Sequence, residues 1–597
     1  MPQPDENDRS PRAADGARDA GVELARDRIR GWLFGGMALL FAAVCAIAWT
    51  WGLSDARAWG WDETMHAELP AARMVVSLQQ GEIGTCFDAL HSCSQYPFAW
   101  PVVLALVQLV TGVSEHAGRV AGTLAWCLTL AGLFLVAYEV VRAVALRTGE
   151  AVNDHQVPLL AFVFAALCPL ALAFSGTFFL EVPATCAIVW ALRAWLVRAR
   201  HAGTPRERRA ELLAGAWIAL AFFTKFNYGL MLAAALGLDW AFELVGAWRR
   251  GAAFAFAKRS AWLAPVPLVL LLWWFVVPLP FGSEVAAEHR SAFAAFLQGN
   301  QGFSRYPDLL RLAYLGTWFA ATPRLFVLEF ALLVVALHWV RVAAVRVLLF
   351  LLLATALPIA LHPFHDARFQ VVAGPALWVL AALGLRLWPR WGLPSGLALV
   401  LPFVLALVAP RWDREGLARW AGFLRDDDPN REFVRARIES FAALGGDRPL
   451  PTGGLERAEH ERLSAFVAGE VGPEERVGWI GMSSEYSPAA LHLALLAHGG
   501  SPKRFLAECE RTLDVDYFGD GSGVADEALK AYLAGFDVVF LTDPPDLKGR
   551  KSRAGFAVYR ERLAGLGWNA REVGQLSIAR PPSAPLDVTL YACRPNR

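Results

Sequence analysis

The sequence predicts a polytopic α-helical membrane protein that ends in a soluble α/β domain. Apolar residues make up 56% of its 597 residues, the mean hydropathy is +0.37, and only 19% of the residues are charged. Ordinary soluble domains are much more polar. The apolar residues come in runs of about 20, which is the length that crosses a bilayer as a helix. Lys plus Arg (56) and Asp plus Glu (55) nearly cancel, so the charge indicates no nucleic-acid partner.

The amino-terminal region sets the predicted orientation. Residues 1–29 lack an apolar run and are predicted to be a disordered cytosolic leader. Residues 31–51 are apolar for longer than a signal-peptide core, which indicates an uncleaved first transmembrane helix. Basic residues precede this span, whereas few follow it in residues 52–96. The amino terminus is therefore predicted to be cytosolic and residues 52–117 to form the first external loop.

Inside that loop, residues 98–112 are apolar but too short to cross, so we expect an interfacial or re-entrant helix. Two later loops rich in basic residues, near 198–209 and 249–259, indicate cytosolic turns. Residues 212–247 between them must then cross twice, and the outer bend falls at residues 224–227. The other spans are predicted at 118–141, 157–174, 178–198, 261–280, 325–341, 346–362, 369–387 and 394–410.

These segments amount to about eleven crossings within a membrane domain at 30–410. An odd number of crossings places residues 411–597 outside the cytosol. Helical patterns and strand-like runs in this tail predict an α/β domain, and it contains neither GxGxxG after a strand nor a P-loop. Its predicted helices are 431–444 and 455–470, and its predicted strands are 477–480, 536–541 and 586–591. Outside the cytosol, Cys86 with Cys93 and Cys509 with Cys593 could form disulfides.

Reactive side chains from five separate segments are predicted to meet on the external face. Ionisable residues at membrane depth are costly to keep, so they are functional candidates by default. None of these residues indicates a function alone. Their predicted convergence on one face is what indicates a functional site. The candidates are Asp62, Glu63 and His66 in the first external loop, then Glu181, Lys225 and His289, and finally His365, Asp366 and Arg368.

Each candidate also has a structural interpretation. Asp62 and Glu63 could be solvated loop charges or could cap the following helix. Lys225 could extend to lipid headgroups, and His365 and Arg368 could be interfacial anchors. Glu181 lies between apolar neighbours, which favours a functional role over a solvated one.

Several short motifs follow one another in a distinctive order. They are Trp61-Asp62-Glu63, Gln95-Tyr96-Pro97-Phe98, Gly118-Arg119-Val120, Phe179-Leu180-Glu181-Val182-Pro183, Phe223-Thr224-Lys225-Phe226, and His362-Pro363 with Arg368. Their order resembles that of the GT-C superfamily of integral-membrane glycosyltransferases, and within it the chain is most similar to the branch of protein O-mannosyltransferases and lipid A aminoarabinose transferases. The resemblance covers roughly residues 30 to 390, and Glu181 stands where the family often has Asp.

The resemblance implies transfer of a sugar from a polyprenyl-phosphate donor to an acceptor hydroxyl on the external face, with inversion at the anomeric carbon. Asp62 is the expected general base, Glu63 is its main rival, and Glu181 is a third catalytic carboxylate. The leaving group is an anionic phosphate, so it needs stabilisation by cations more than a proton from an acid. Lys225 and Arg368, together with His365, are the residues expected to bind this phosphate.

The spacing does not require a metal, but a divalent ion held by Glu63 or Glu181 together with His66 or His289 would suit the ligand chemistry. The acceptor could be a lipid, a glycan or a protein. Richness in Ala, Arg and Pro suggests a bacterial source and hence an inner-membrane location.

Two other functions remain open: a transporter or flippase of a lipid-linked sugar, and a membrane-anchored scaffold. Transporters often show paired repeats, and none is evident in this sequence.

Overall fold

The structure is a computed structural model of the full chain, and the fold is mostly helical with one small sheet near the carboxy terminus. The residues that it describes are 42–43, 46, 67–91, 96–148, 156–166, 168, 171, 180–279, 283–299, 333–361 without 335, 367–385, 457–480 without 473–474, 493, 496, 526–543, 556–580 and 583–596.

Among the described residues, three helices are long and apolar enough to cross a membrane, by length and composition alone. They are α4 (Glu115–Thr148), α6 (Glu181–Arg200) and α8 (Phe226–Arg249). A bent pair of shorter helices raises the number to four if the pair is one span. The predicted spans at 31–51 and 394–410 lie largely or wholly outside the described residues, so the total of eleven stays a prediction.

The other described helices of the membrane part do not meet these limits of length and composition, and 3-10 turns occur at 261–263, 337–339 and 367–373. The segment predicted as an interfacial helix, 98–112, is helical. These other helices are α1 (Leu69–Gln79), α2 (Ile83–His91), α3 (Ala99–Thr111), α5 (Gln156–Ala166), α7 (Pro205–Thr224), α9 (Ala253–Ser260), α10 (Pro265–Phe275), α11 (Ser283–Gly299), α12 (Ala343–Leu361) and α13 (Gly374–Leu385).

The predicted double crossing at 212–247 is a tight helical hairpin made of α7 and α8. A single residue, Lys225, separates the two helices and has an extended backbone (φ −156°, ψ 119°). Close approach of the helices requires glycine at position 229, because a Cβ there would lie 2.2 Å from Phe222 Cα. The bend therefore falls within the predicted residues 224–227.

Replacing Gly229 by alanine is expected to force the hairpin apart at its bend. The new methyl group would meet backbone atoms of Phe222, which cannot move aside as a side-chain end could, so the cost should reach about 1–3 kcal/mol or more. Gly237 on the same helix is a matched control, since nothing lies within 4 Å of the position that a Cβ would take there. Thermal unfolding in detergent should show a lower midpoint for Gly229→Ala only; equal midpoints would contradict the close packing.

The end of the bundle opposite Lys225 is joined by partly buried ion pairs. Arg198 contacts Glu243 at 2.6 Å, and Arg346 contacts Asp239 at 2.6 Å. Trp195 Nε1 also donates to Asp239 at 2.9 Å. These contacts hold α6, α8 and α12 together. Glu181 and Arg198 lie 17 residues apart on one helix, or about 25 Å at 1.5 Å per residue, so the pairs are remote from the bend.

The carboxy-terminal part contains a four-stranded sheet in the order β1-β2-β4-β3. β1 pairs with β2 in parallel, and the other neighbours are antiparallel. The three predicted strands are present as β1, β2 and β4, whereas β3 was not predicted; the division into domains stays a prediction. The elements are α14 (Arg457–Glu470), β1 (Val477–Ile480), α15 (Asp526–Leu533), β2 (Val538–Asp543), α16 (Phe556–Gly565), β3 (Trp568–Arg580) and β4 (Ser583–Pro595).

Both faces of this sheet are covered by helices. Along β2, Val538 and Phe540 pack with α14, and Val539 and Leu541 pack with α15 and α16 on the other face. A central strand buried on both sides has a continuous apolar run rather than an alternating pattern. The segment is therefore an α/β unit, as its sequence pattern indicates.

One contact joins this tail to the predicted first external loop. Leu493 and Leu496 pack in one apolar cluster with residues of α1, among them Leu69 and Val76. The tail therefore contacts α1, and the number and sidedness of the crossings stay predictions.

The cysteines that could pair outside the cytosol are free thiols where the structure describes them. These are Cys86 and Cys593, and their candidate partners Cys93 and Cys509 lie outside the described residues. Burial within the sheet raises the pKa of Cys593 to about 12, so its thiol stays protonated and unreactive near neutral pH.

Candidate functional site

Glu181 is the first residue of α6 and is only 1% exposed. The apolar residues around it exclude water, and Pro183 is compatible with a first helical turn, where the backbone N–H has no intrahelical partner. A carboxylate at this position interacts favourably with the helix dipole, whose positive end is at the amino terminus. The helix dipole therefore stabilises the negative charge of Glu181, which burial alone would disfavour.

Lys225 lies at the bend between α7 and α8, at the same end of the bundle as Glu181. Its ammonium Nζ donates to Glu181 Oε1 at 2.7 Å, and the Tyr228 hydroxyl donates to the same oxygen at 3.0 Å. Lys225 is 5% exposed. Two opposite charges taken out of water in this way are stable only as a pair, because each alone would carry an uncompensated desolvation cost.

Three aromatic rings surround the Lys225 ammonium. Nζ lies 5.3 Å from the ring centre of Tyr96, 5.1 Å from that of Tyr228 and 4.8 Å from that of Phe369. A cation over an aromatic face is stabilised by the ring quadrupole, and more so when it is shielded from water. We call these five residues, Glu181 and Lys225 with the three aromatic residues, the Lys225 centre.

The Lys225 centre joins four segments that are far apart in sequence. They are the turn before α3, the start of α6, the α7–α8 bend and the 3-10 turn at 367–373. The predicted convergence of Glu181 and Lys225 thus appears as a direct contact. Tyr96 belongs to a motif that the sequence singled out, but neither it nor Tyr228 was predicted as a site residue. The signal for Tyr228 is its place one helical turn after Lys225.

The other predicted residues are described only in part. Arg368 is in the 3-10 turn immediately before Phe369, so its backbone adjoins the Lys225 centre. Asp62, Glu63 and His66 lie outside the described residues, as do His365 and Asp366. The described chain resumes at residue 67, just before α1. The roles of all these residues stay predictions.

His289 lies in a separate aromatic cluster with His91. Its ring stacks on Trp274 at 3.7 Å, and its Nδ1 lies 2.9 Å from the Trp274 carbonyl oxygen. Its Nε2 lies 3.3 Å from the His91 carbonyl oxygen and 3.4 Å from His91 Nδ1. Both ring nitrogens of His289 are thus engaged by residues other than Glu181. His91 was not predicted, because a lone histidine on a short helix has no distinguishing pattern.

This cluster adjoins the Lys225 centre through aromatic contacts. Phe98 lies 5.0 Å from Phe223 and 4.9 Å from Trp274, measured between ring centres. Phe226, next to Lys225, contacts Phe293 of α11 at 4.9 Å. The two clusters therefore lie at the same end of the bundle.

A metal would need ligands that converge. Within the described ranges, no group of three or more His, Cys, Asp or Glu side chains could hold a metal ion. Of the predicted metal ligands, only His289 is described, and its nitrogens face Trp274 and His91. The described residues thus offer no ready metal site, and the predicted ligands Glu63 and His66 lie outside them.

Acidification is expected to loosen the packing of α2 against α10 and α11. Burial lowers the pKa of His91 to about 4, with a further contribution from His289, and burial also lowers the pKa of His289. Both folded-state pKa values lie below the unfolded value of 6.5, so the stability they contribute is present above about pH 6.5 and is lost as the pH falls towards 4. The loss could reach about 3 kcal/mol.

The measurement is the unfolding midpoint between about pH 7 and pH 4.5, followed in wild type and in His91→Gln/His289→Gln. The double variant should lose part of the pH dependence. Replacing exposed His338 by glutamine provides the control and should leave the profile unchanged. Identical profiles for wild type and the double variant would show that the histidine pair does not contribute.

Comparison with known proteins identifies the fold. No protein-family model matches the chain, and no curated protein matches it. The solved structure of ArnT from Cupriavidus metallidurans bound to undecaprenyl phosphate matches with a TM-score of 0.52 at 15% identity, covering 93% of this chain and 98% of that one. The arabinofuranosyltransferase AftD from Mycobacteria matches with a TM-score of 0.51 at 15% identity, covering 95% of this chain and 40% of AftD.

These structures belong to the GT-C superfamily of membrane glycosyltransferases, so the chain has the GT-C fold that its motifs resemble. At 15% identity, the likeness concerns the fold alone.

Proposed function

We propose that this protein is a membrane glycosyltransferase that uses a polyprenyl-phosphate sugar as donor. The observation that carries the proposal is the buried Lys225–Glu181 pair at one end of a GT-C fold. A transporter would need its charges along a path through the bilayer, whereas this pair lies at a helix bend and a helix start. The similar ArnT structure contains undecaprenyl phosphate, which makes such a lipid the natural donor carrier to test.

Lys225 is the residue that we assign to the donor phosphate. An ammonium has three N–H donors, and one of them is directed at Glu181. A phosphate oxygen that reached the same nitrogen would accept a hydrogen bond from one of the other two, and the shielded site would strengthen the attraction between the two charges. Glu181 and the aromatic rings would hold the ammonium in place before the donor binds. Arg368, beside Phe369, is the second candidate for the phosphate, and His365 is the third.

The reaction is displacement at the anomeric carbon. The bond from this carbon to the phosphate oxygen breaks, and a bond to the acceptor oxygen forms with inversion. The acceptor proton passes to a carboxylate, for which Asp62 is the first candidate and Glu63 the second. The leaving polyprenyl phosphate carries its negative charge away from the sugar and is stabilised by Lys225 and Arg368.

We further propose that the reaction takes place on the external face of a bacterial inner membrane. The amino terminus would then be cytosolic, and the tail would lie beside the first external loop. The contact of Leu493 and Leu496 with α1 supports this arrangement. The sugar could be a hexose or a pentose, and the acceptor could be a lipid, a glycan or a protein. A divalent metal on Glu63 and His66 would add charge to the phosphate site.

The test is consumption of donor by the purified protein in lipid nanodiscs. Polyprenyl-phosphate sugars and candidate acceptors are supplied, and released polyprenyl phosphate is measured with the glycosylated product. Equal amounts of the two products are expected from wild type. In sealed vesicles, intact donor that moves between leaflets without release of polyprenyl phosphate would overturn the proposal in favour of a flippase.

A further inference from the structure

A basic and aromatic surface covers the end of the bundle opposite the Lys225 centre. It is built from the start of α7, the end of α8, α9 and the 3-10 turn at 261–263. The acidic side chains at the start of α7, Glu207 and Glu211, are buried, so the exposed charges of these segments are all positive. The exposed basic residues of this surface are Arg206, Arg208, Arg209, Arg249, Arg250, Lys258 and Arg259.

Large aromatic side chains lie among these cations. Trp248 is 71% exposed, Phe254 is 83% exposed and Trp262 is 41% exposed. On α9, Phe256 packs inward with its ring 5.9 Å from that of Trp240. Phe254 and Lys258 are four residues apart and therefore share a face of the helix, which is exposed. Exposed aromatic rings of this size beside cations are costly in water and are typical of a membrane interface.

The surface is held in a fixed shape. Residues 253–263 and 265–275 bend by 53° relative to each other, so α9 leaves the direction of the apolar helix α10. The turn after α9 packs tightly on α7, because a Cβ at Gly215 would lie 2.2 Å from the Leu263 carbonyl oxygen. The Arg208 guanidinium lies 5.8 Å from the ring centre of Trp262, which joins the two segments.

We propose that this basic and aromatic surface binds the headgroups of anionic phospholipids in the leaflet opposite the active centre. The cations would contact lipid phosphates, and Phe254 and the tryptophan rings would enter the headgroup layer beside them. A short helix that lies parallel to the bilayer surface presents its charged and aromatic residues at the same depth. The bend before α10 allows α9 to lie in this way. The proposal does not depend on the sugar-transfer reaction.

The test measures retention of phosphatidylglycerol by the full chain. Protein is exchanged from phosphatidylcholine nanodiscs into nanodiscs that contain phosphatidylglycerol, and co-purifying phosphatidylglycerol is quantified after mild detergent release at low and high salt. Lys258→Gln/Arg259→Gln should reduce its apparent affinity about 25-fold, since each of the two cations near an anionic surface contributes about fivefold. Retention should also fall as salt rises.

Three variants make the result decisive. Lys530→Gln/Arg560→Gln removes the same two residue types from exposed positions of the tail and should bind like wild type. Lys258→Arg/Arg259→Lys keeps the charge and should also bind like wild type. Phe254→Gln should weaken binding without changing the salt dependence. Undiminished retention by Lys258→Gln/Arg259→Gln, or an equal loss in the tail control, would overturn the proposal.

Discussion

Lys225→Met is expected to abolish sugar transfer and to destabilise the protein by roughly 3–5 kcal/mol. The substitution removes the ammonium that donates to the buried Glu181 carboxylate at 2.7 Å, although the Tyr228 hydroxyl still donates to the same oxygen. Turnover would fall because the donor phosphate loses its cation. The measurements are the unfolding midpoint in detergent and polyprenyl phosphate release in nanodiscs.

Glu181→Gln/Lys225→Met separates the two effects. With both charges gone, the cost of keeping the Glu181 carboxylate out of water without its ammonium disappears, so most of the stability should return. Activity should not return, because the cation is still missing. A double variant that regains both stability and turnover would show that the pair only supports the fold.

Asp62→Asn is expected to reduce turnover by about 10²–10⁴-fold while the unfolding midpoint stays the same. Asparagine keeps the size and shape of aspartate, but it cannot take the proton from the acceptor hydroxyl. Asp88→Asn is the matched control, since Asp88 is an exposed carboxylate of the same predicted loop, and it should retain full activity. The same assay on Glu63→Gln decides between the two candidate bases.

If Asp62→Asn and Glu63→Gln both retain wild-type turnover, the acidic loop does not supply the base. Of the three carboxylates predicted to be catalytic, Glu181 would then remain, and its direct contact with Lys225 would have to open for it to act.

The α7–α8 hairpin shows what the sequence can predict in this fold. Basic loops on both sides of residues 212–247 require an even number of crossings, and the outer bend is predicted at the polar residues 224–227. The structure bends at Lys225. The same reasoning predicts that Glu181 and Lys225 lie at one end of the bundle. The basic loops mark the cytosolic ends of the helices, and both residues lie at the opposite ends of theirs.

Other features could not be predicted, for identifiable reasons. Tyr228 and Tyr96 look like ordinary aromatic residues of a membrane protein, and only the folded chain places their rings around the Lys225 ammonium. The strand β3 is rich in polar residues and pairs only with β4 at the edge of the sheet, so no apolar run marks it. By contrast, β2 is buried on both faces and has such a run.

The most direct test is the affinity of the lipid phosphate itself for the Lys225 centre. Polyprenyl phosphate without sugar is titrated into wild type and into Glu181→Gln/Lys225→Met, whose restored stability excludes unfolding as the cause of a difference. We predict that the double variant binds about ten- to a hundredfold more weakly, because it lacks a charge-assisted hydrogen bond to the phosphate. Equal affinities would contradict the assignment of Lys225 to the donor phosphate.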